Sequence, residues 1–299
     1  MIMKTLRQVI LALTFIVFSS CTLSGQERIQ REIPIAPFED VEIFAHFIVT
    51  FEQADEYSLT VEYPKNYDKR LVAEVRDNTL RLGFRNIYNF IDGRPTAHIT
   101  APSFNDLEIR GAAIIHFEGR FLGHECEIKL SGDSQLEDLN LKAQEISLKM
   151  SGASKFTHSI LQCTEFESET SGASRFDVDV VSNHADVEIS GASEGAFYLA
   201  AQKLELEGSG AAILGLKPFD DRLGNYFELD LSGAMDLDAG ALPFTSINAF
   251  LSGASKAMVA PEKDLSVKMS GASRLQYRGN TQLRKSTNLS AGCKIEEIF

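Results

Sequence analysis

Apolar and polar positions alternate along most of this chain, and a cluster of small residues interrupts the alternation at regular intervals. The cluster first appears as Gly111-Ala112-Ala113, then as Ser131-Gly132-Asp133-Ser134, Ser151-Gly152-Ala153-Ser154, Ser171-Gly172-Ala173-Ser174, Ser190-Gly191-Ala192-Ser193 and Ser209-Gly210-Ala211-Ala212. It continues as Ser232-Gly233-Ala234, Ser252-Gly253-Ala254-Ser255, Ser270-Gly271-Ala272-Ser273 and a permuted Ser290-Ala291-Gly292-Cys293. The spacing is about twenty residues, the period of a solenoid repeat. Two, four and six residues before each glycine stand apolar columns, as in Cys126, Ile128, Leu130 and Leu265, Val267, Met269. Four residues after it the apolar column resumes with Ile115, Leu136, Phe156, Phe176, Leu214, Leu237 and Leu275. Period two on both sides of a tight corner predicts a strand running into each corner and another leaving it.

A leucine-rich repeat shares this period but needs an asparagine or cysteine ladder and usually a helical segment, and neither is present. Stacked parallel coils therefore fit, nine to ten of them, with equivalent residues about 4.8 Å apart and a rod roughly 43 Å long. Glycine supplies the positive φ of a sharp turn, and small alanine and serine side chains stack beside it while serine hydroxyls satisfy backbone groups at the bend. Residues 33–104 also alternate, as in Val41, Ile43, Phe47, Val49 and Phe51, but they lack the Gly-Ala corner and carry Pro34, Pro37, Pro64, Pro95 and Pro102. They read as an N-terminal β region capping residues 105–299, because an uncapped solenoid end exposes unpaired edges and apolar surface.

The N-terminus adds a destination. Lys4 and Arg7 precede an apolar run from Val9 to Phe18, and Phe18-Ser19-Ser20-Cys21 resembles a bacterial lipobox. Residues 1–20 thus read as a signal peptide, Cys21 as a lipidated first residue of the exported protein, and 21–32 as a tether. Cleavage near Ser24 or Gly25 is the alternative. Beyond this leader no segment is apolar and long enough to cross a bilayer. The expected location is the cell envelope, as an outer-membrane lipoprotein touching the membrane through its anchor alone.

The formal net charge is −13, and loss of Lys4 and Arg7 with the leader makes it −15. That balance argues against nucleic acid and anionic membrane surfaces as partners. In four consecutive coils both outward positions before the glycine are acidic: Glu167 and Glu169, Asp186 and Glu188, Glu205 and Glu207, Glu228 and Asp230. In register, these eight carboxylates form one strip whose like charges oppose each other at about 0.2–1 kcal/mol per pair. The strip is the candidate site, either for Ca²⁺ bridging neighbouring coils or for a cationic partner, against the simpler reading of a solvated face. Apart from this Ca²⁺, no cofactor is indicated.

Other constellations are weaker. Gly191-Ala192-Ser193-Glu194-Gly195 matches the nucleophile-elbow letters, but it is one copy of a repeated corner with no helix predicted after it, so no catalytic residue is assigned. Lys155, Arg175, Lys256 and Arg274 follow corners on the side away from the acidic strip. The six histidines are scattered singly, so no zinc site is expected. Cys126 falls in an inward column, Cys293 replaces a corner serine, and the spacing gives Cys163 no role.

Pro37-Phe38, Val41-Glu42-Ile43, Asn78-Thr79-Leu80, Ile99-Thr100-Ala101-Pro102 and the serial corners together resemble the putative auto-transporter adhesin family with its head GIN domain, over nearly all of residues 33–299. The resemblance implies a right-handed parallel β-helix and an adhesin-like role, and it brings no catalytic residues. The function expected is non-enzymatic, with the faces presented to a glycan or a surface protein. The alternatives are a structural or self-associating envelope component and a polysaccharide-cleaving enzyme, and the oligomeric state is not indicated.

Overall fold

A strand whose apolar side chains all point one way must find cover for that face, and here successive coils of one chain cover each other. The computed structural model describes residues 27–86, 93–279, 284–290 and 292–298. It is a β-solenoid of about nine turns with about twenty residues per turn. A representative coil enters its corner through Glu165–Thr170 and leaves through Arg175–Val181. After a short turn it begins the next coil with His184–Ile189. The incoming strands pair in parallel with no slip, Phe166 opposite Ala185 and Ala185 opposite Leu204. All three are buried, so the inward columns read from the alternation form the core.

The corner is hydrogen-bonded throughout. At Gly172 φ is 75°. The amide of Ala173 donates to the Gly152 carbonyl at 2.7 Å, and the flanking Ser171 and Arg175 amides donate to Met150 and Ser154 at 2.9 Å each. The parallel ladder therefore continues around the bend. Inside the corner Ser134, Ser154, Ser174, Ser193, Ser255 and Ser273 are fully or almost fully buried. The Ser174, Ser255 and Ser273 hydroxyls donate to the carbonyls of Ser171, Ser252 and Ser270. Those of Ser134 and Ser193 have no partner, so serine at this place serves packing even where its hydroxyl bonds nothing.

Two coils break the column rule by complementary exchange of bulk. Gly195 stands where other coils carry a large apolar residue, and a Cβ there would lie 2.6 Å from the Phe176 ring. The vacated space lets Phe176 stack on Phe197 at 4.5 Å. Gly208 likewise makes room for Met235, which replaces a corner serine.

The outgoing face changes along the rod. In an early coil it is split into Ile114–Glu118 and Arg120–Leu122, with Gly119 between them at φ 98°. In Lys155–Gln162 the two parts join through a bulge at His158, whose φ is 54°. Phe51, Phe104, Phe117 and Phe121 cluster inside the early coils, with ring centroids 5.1 to 5.8 Å apart.

At the N-terminal end, stacking order departs from chain order. Asp40–Ala45 and Ile48–Gln53 pair in parallel with Asp106–Gly111 and Ile114–Glu118, and Ala45 at φ 80° stands opposite Gly111. On their other side lie Thr79–Phe84 and Thr96–Ala101, also parallel. Leu71–Arg76, Ser58–Pro64 and Arg28–Glu32 then follow antiparallel. At the opposite end Arg284–Leu289 is exposed at every position. Among the described residues no helix is long and apolar enough to cross a membrane.

Candidate functional site

Because the incoming strands stack without slip, residues at one outward position form a straight row along the rod. Glu167, Asp186, Glu205 and Glu228 occupy one row, and Glu169, Glu188, Glu207 and Asp230 the next. The strip expected from the sequence is therefore two parallel rows of carboxylates about 4.8 Å apart along each row.

The two rows differ in their partners. In the first, Glu205 is bound by Lys203 and lies 3.6 Å from His184 Nε2, while Glu228 accepts from the Tyr226 hydroxyl at 2.9 Å. The Lys203 ammonium, ahead of His184, holds the Glu205 carboxyl below the usual glutamate range. In the second row no acid has an ion-pair partner within 4 Å among the described residues. Partial desolvation and then the neighbouring Glu207 and Glu169 charges push Glu188 above the usual range. Across the two rows Glu205 is the one acid of the eight with a cationic partner within 4 Å among the described residues, so negative charge is largely unrelieved along both.

That row is one bank of a groove. The opposite bank is the column of first corner serines, including Ser151, Ser171, Ser190 and Ser209, and the main stretch encloses about 630 Å³. A second stretch of about 380 Å³ continues from Asp230 past Phe250 and Lys268. Read along the bank, the row runs Glu108, Lys129, Lys149, Glu169, Glu188, Glu207, Asp230, Phe250, Lys268. The groove is acidic at its centre and basic at both flanks. The Lys268 ammonium lies over the Phe250 ring at 5.1 Å. Near the other flank Glu127 is bound by Lys129 and, at 3.0 Å, by Lys149. A separate hollow of about 470 Å³ opens on the first row, between Glu127, Glu167, His184 and Asp186.

The alternation located the acids of both rows. It did not reveal Phe250 and Lys268 as part of the same bank, although their place three residues before Gly253 and Gly271 carries that information. The carboxylates do not converge in threes. Among the described residues the one group of three such side chains with ligand atoms within 4.8 Å of one another is His116, Glu137 and Asp138, on the outgoing face.

The remaining candidates separate from the groove. Ser193 is 1% exposed, and its corner leads into the strand Glu194–Ala200, so the nucleophile-elbow letters have no elbow around them. Both glycines of that motif have packing reasons, the corner φ of 71° at Gly191 and the Phe176 ring beside Gly195. Lys155 and Arg175 are neighbours on the outgoing face, as are Lys256 and Arg274. Cys126 is buried, and desolvation pushes its thiol up to about 11. Desolvation also raises Cys163, to about 12, and neither thiol is poised to react. Cys293 joins the inner corner column, its sulfur 3.6 Å from the Ser273 hydroxyl. Cys21 and the leader lie outside the described residues.

A putative adhesin from Parabacteroides distasonis has a solved structure that matches 91% of this chain and 98% of its own, with a TM-score of 0.53 and 14% identity. A solved structure of a putative lipid binding protein from the same organism covers 92% of this chain and 98% of its own, at TM-score 0.48 and 12% identity. No curated protein matches the sequence. The family profile described as putative auto-transporter adhesin, head GIN domain, matches residues 37–213 and again 162–281, and such an overlapping double match is what an internally repeated stack produces. With most of its length matched in this way, the chain belongs to that family.

Proposed function

We propose that this chain is a non-enzymatic, adhesin-like envelope protein whose corner groove receives an extended partner, a glycan chain in the first instance. The observation that carries the reading is the groove itself. It runs along the rod with a serine and a bank residue contributed by each coil, so its chemistry repeats about every 4.8 Å. Hydroxyls and carboxylates are acceptors for the hydroxyls of a sugar polymer, and Phe250 offers an aromatic face at one end. A groove built by repetition suits a ligand that repeats, as other solenoids use long surfaces for extended partners. In this reading the leader exports the chain, and an acyl group on Cys21 holds it on the outer membrane.

The test is binding of the exported chain to a glycan panel, with the groove altered at two places. Phe250→Ala removes the aromatic face, and Ser190→Tyr fills the groove at its acidic centre. Both are expected to weaken binding about ten-fold or more, equivalent to about 1.4 kcal/mol each. Release of new sugar ends during incubation, or binding that neither substitution disturbs, would overturn the reading. Fatty-acid labelling that survives Cys21→Ser would remove the anchor from it.

A further inference from the structure

We propose that His116, Glu137 and Asp138 form a site for a divalent transition-metal ion of the zinc class, on the outgoing face and separate from the corner groove. The three residues are far apart in the spacing rules by which metal sites are read from sequence, and the solenoid brings them together. Strands Ile114–Glu118 and Gln135–Glu137 pair in parallel with His116 directly opposite Glu137. The next residue, Asp138, has φ 66°. A strand residue following an outward glutamate would normally point into the core. The left-handed backbone turns Asp138 outward instead, with its side chain 55% exposed, while Leu139 resumes the buried column. Two consecutive carboxylates therefore face the same imidazole.

The separations suit a small ion. A tetrahedral centre with bonds of about 2.1 Å sets its ligand atoms roughly 3.4 Å apart. His116 Nδ1 lies 3.3 Å from Glu137 Oε2 and 3.9 Å from Asp138 Oδ2. Ligand type points the same way, since calcium takes six to eight oxygen atoms and an imidazole nitrogen does not suit it. Partial exposure of all three leaves a coordination position for water or for a further side chain. One coil on, Thr157 pairs with Glu137 and the exposed His158 repeats the left-handed backbone of Asp138, but its ring nitrogens do not join the other three ligand atoms within 4.8 Å. An ion held here would tie two coils together where the outgoing face begins to change shape.

Direct pairing of His116 with the two carboxylates, with no ion between them, is the competing account, and metal titration separates the two. The untagged exported chain is titrated with Zn²⁺ against a chromogenic chelator, and Co²⁺ is added separately to record its visible absorption. One equivalent bound at micromolar concentration, with a cobalt spectrum of low-coordinate type, is expected. His116→Ala and the isosteric Glu137→Gln should each weaken binding by at least about ten-fold, as loss of a metal-orienting group does. Glu188→Gln, in the groove, should leave stoichiometry and affinity as they are. Binding weaker than millimolar, or binding that His116→Ala leaves intact in a folded chain, would overturn the site.

Discussion

The carbonyl oxygen of Gly152 lies 2.6 Å from the point where a β-carbon would stand on Gly172. The same oxygen accepts the Ala173 amide at 2.7 Å, so it has no freedom to retreat. Gly172→Ala therefore meets two penalties. The left-handed backbone costs about 1–2 kcal/mol for an L-residue, and relieving the overlap breaks the corner ladder. A loss of at least about 2 kcal/mol is expected in urea unfolding, among the larger effects of single substitutions. Gly215 is the control, because its β-carbon would meet the Ala196 side chain at an ordinary 3.5 Å. There Gly215→Ala should leave stability unchanged or raise it by about 0.4–1 kcal/mol.

Serines at one corner position should respond unequally. Ser193→Ala removes a buried hydroxyl that bonds nothing, so stability should hold within about 0.5 kcal/mol or rise slightly. Ser174→Ala removes a donor to the Ser171 carbonyl at 2.8 Å and should cost about 1 kcal/mol. Equal losses at both sites would show that the hydroxyls act collectively along the corner.

Much of this architecture was legible because burial and period coincide: the inward columns from Cys126 to Met269 are mostly apolar for the same reason they are buried, with Ser168 and Thr170 as buried polar members. The exceptions were illegible in isolation. Gly195 and Gly208 break their columns, and each makes sense only beside a partner one coil away, Phe176 or Met235. Nothing in the alternation of Val41 to Phe51 says that this coil stacks on residues 106–118 with 79–84 and 96–101 on its far side, because alternation marks a buried face without naming its neighbour. The two acidic rows were legible from the corner spacing. The meeting of His116 with Glu137 and Asp138 was not, since it depends on one residue with positive φ outside the repeated corner.

The acidic rows predict opposite pH behaviour for two neighbouring glutamates. Glu188 has its carboxyl raised by desolvation and by the charges of Glu207 and Glu169. A raised carboxyl favours the fold while protonated, and that contribution is lost as pH climbs from the ordinary glutamate value through the folded one. Glu188→Gln should therefore raise the thermal midpoint at neutral pH and converge with the unaltered chain in acid. Glu205 is lowered, chiefly by Lys203, so its contribution is present above the ordinary value and is lost on acidification. Glu205→Gln should lower the neutral midpoint. Parallel midpoint curves for both variants from pH 3 to 8 would contradict the assignment.

Calcium tests the same rows from another side. Six to eight oxygen ligands at 2.3–2.6 Å require carboxylates to converge, whereas the rows hold theirs in straight files. Millimolar CaCl₂ is expected to change the unfolding midpoint no more than NaCl of equal ionic strength does, as screening alone predicts. A calcium-specific rise that disappears in Glu188→Gln would instead establish coordination between coils.

The last described incoming strand, Arg284–Leu289, breaks the inward column in a way that bears on how copies could stack. Lys285 stands opposite Leu265 and Thr287 opposite Val267, so two positions of the inward column become polar in the last incoming strand. The Lys285 ammonium reaches the Tyr277 hydroxyl at 3.0 Å and lies over that ring at 5.1 Å, spanning the end of the core. An inward-facing charge on an exposed edge strand is a recognised obstacle to edge-to-edge pairing, because an incoming strand must bury it. Replacing both residues, Lys285→Leu with Thr287→Val, restores the apolar column and removes that obstacle. Sedimentation across a range of concentrations should then show tighter association than that of the unaltered chain. If the unaltered chain already associates and the double substitution leaves its affinity unchanged, the contact lies elsewhere, and Lys285 is a local cap with no bearing on assembly.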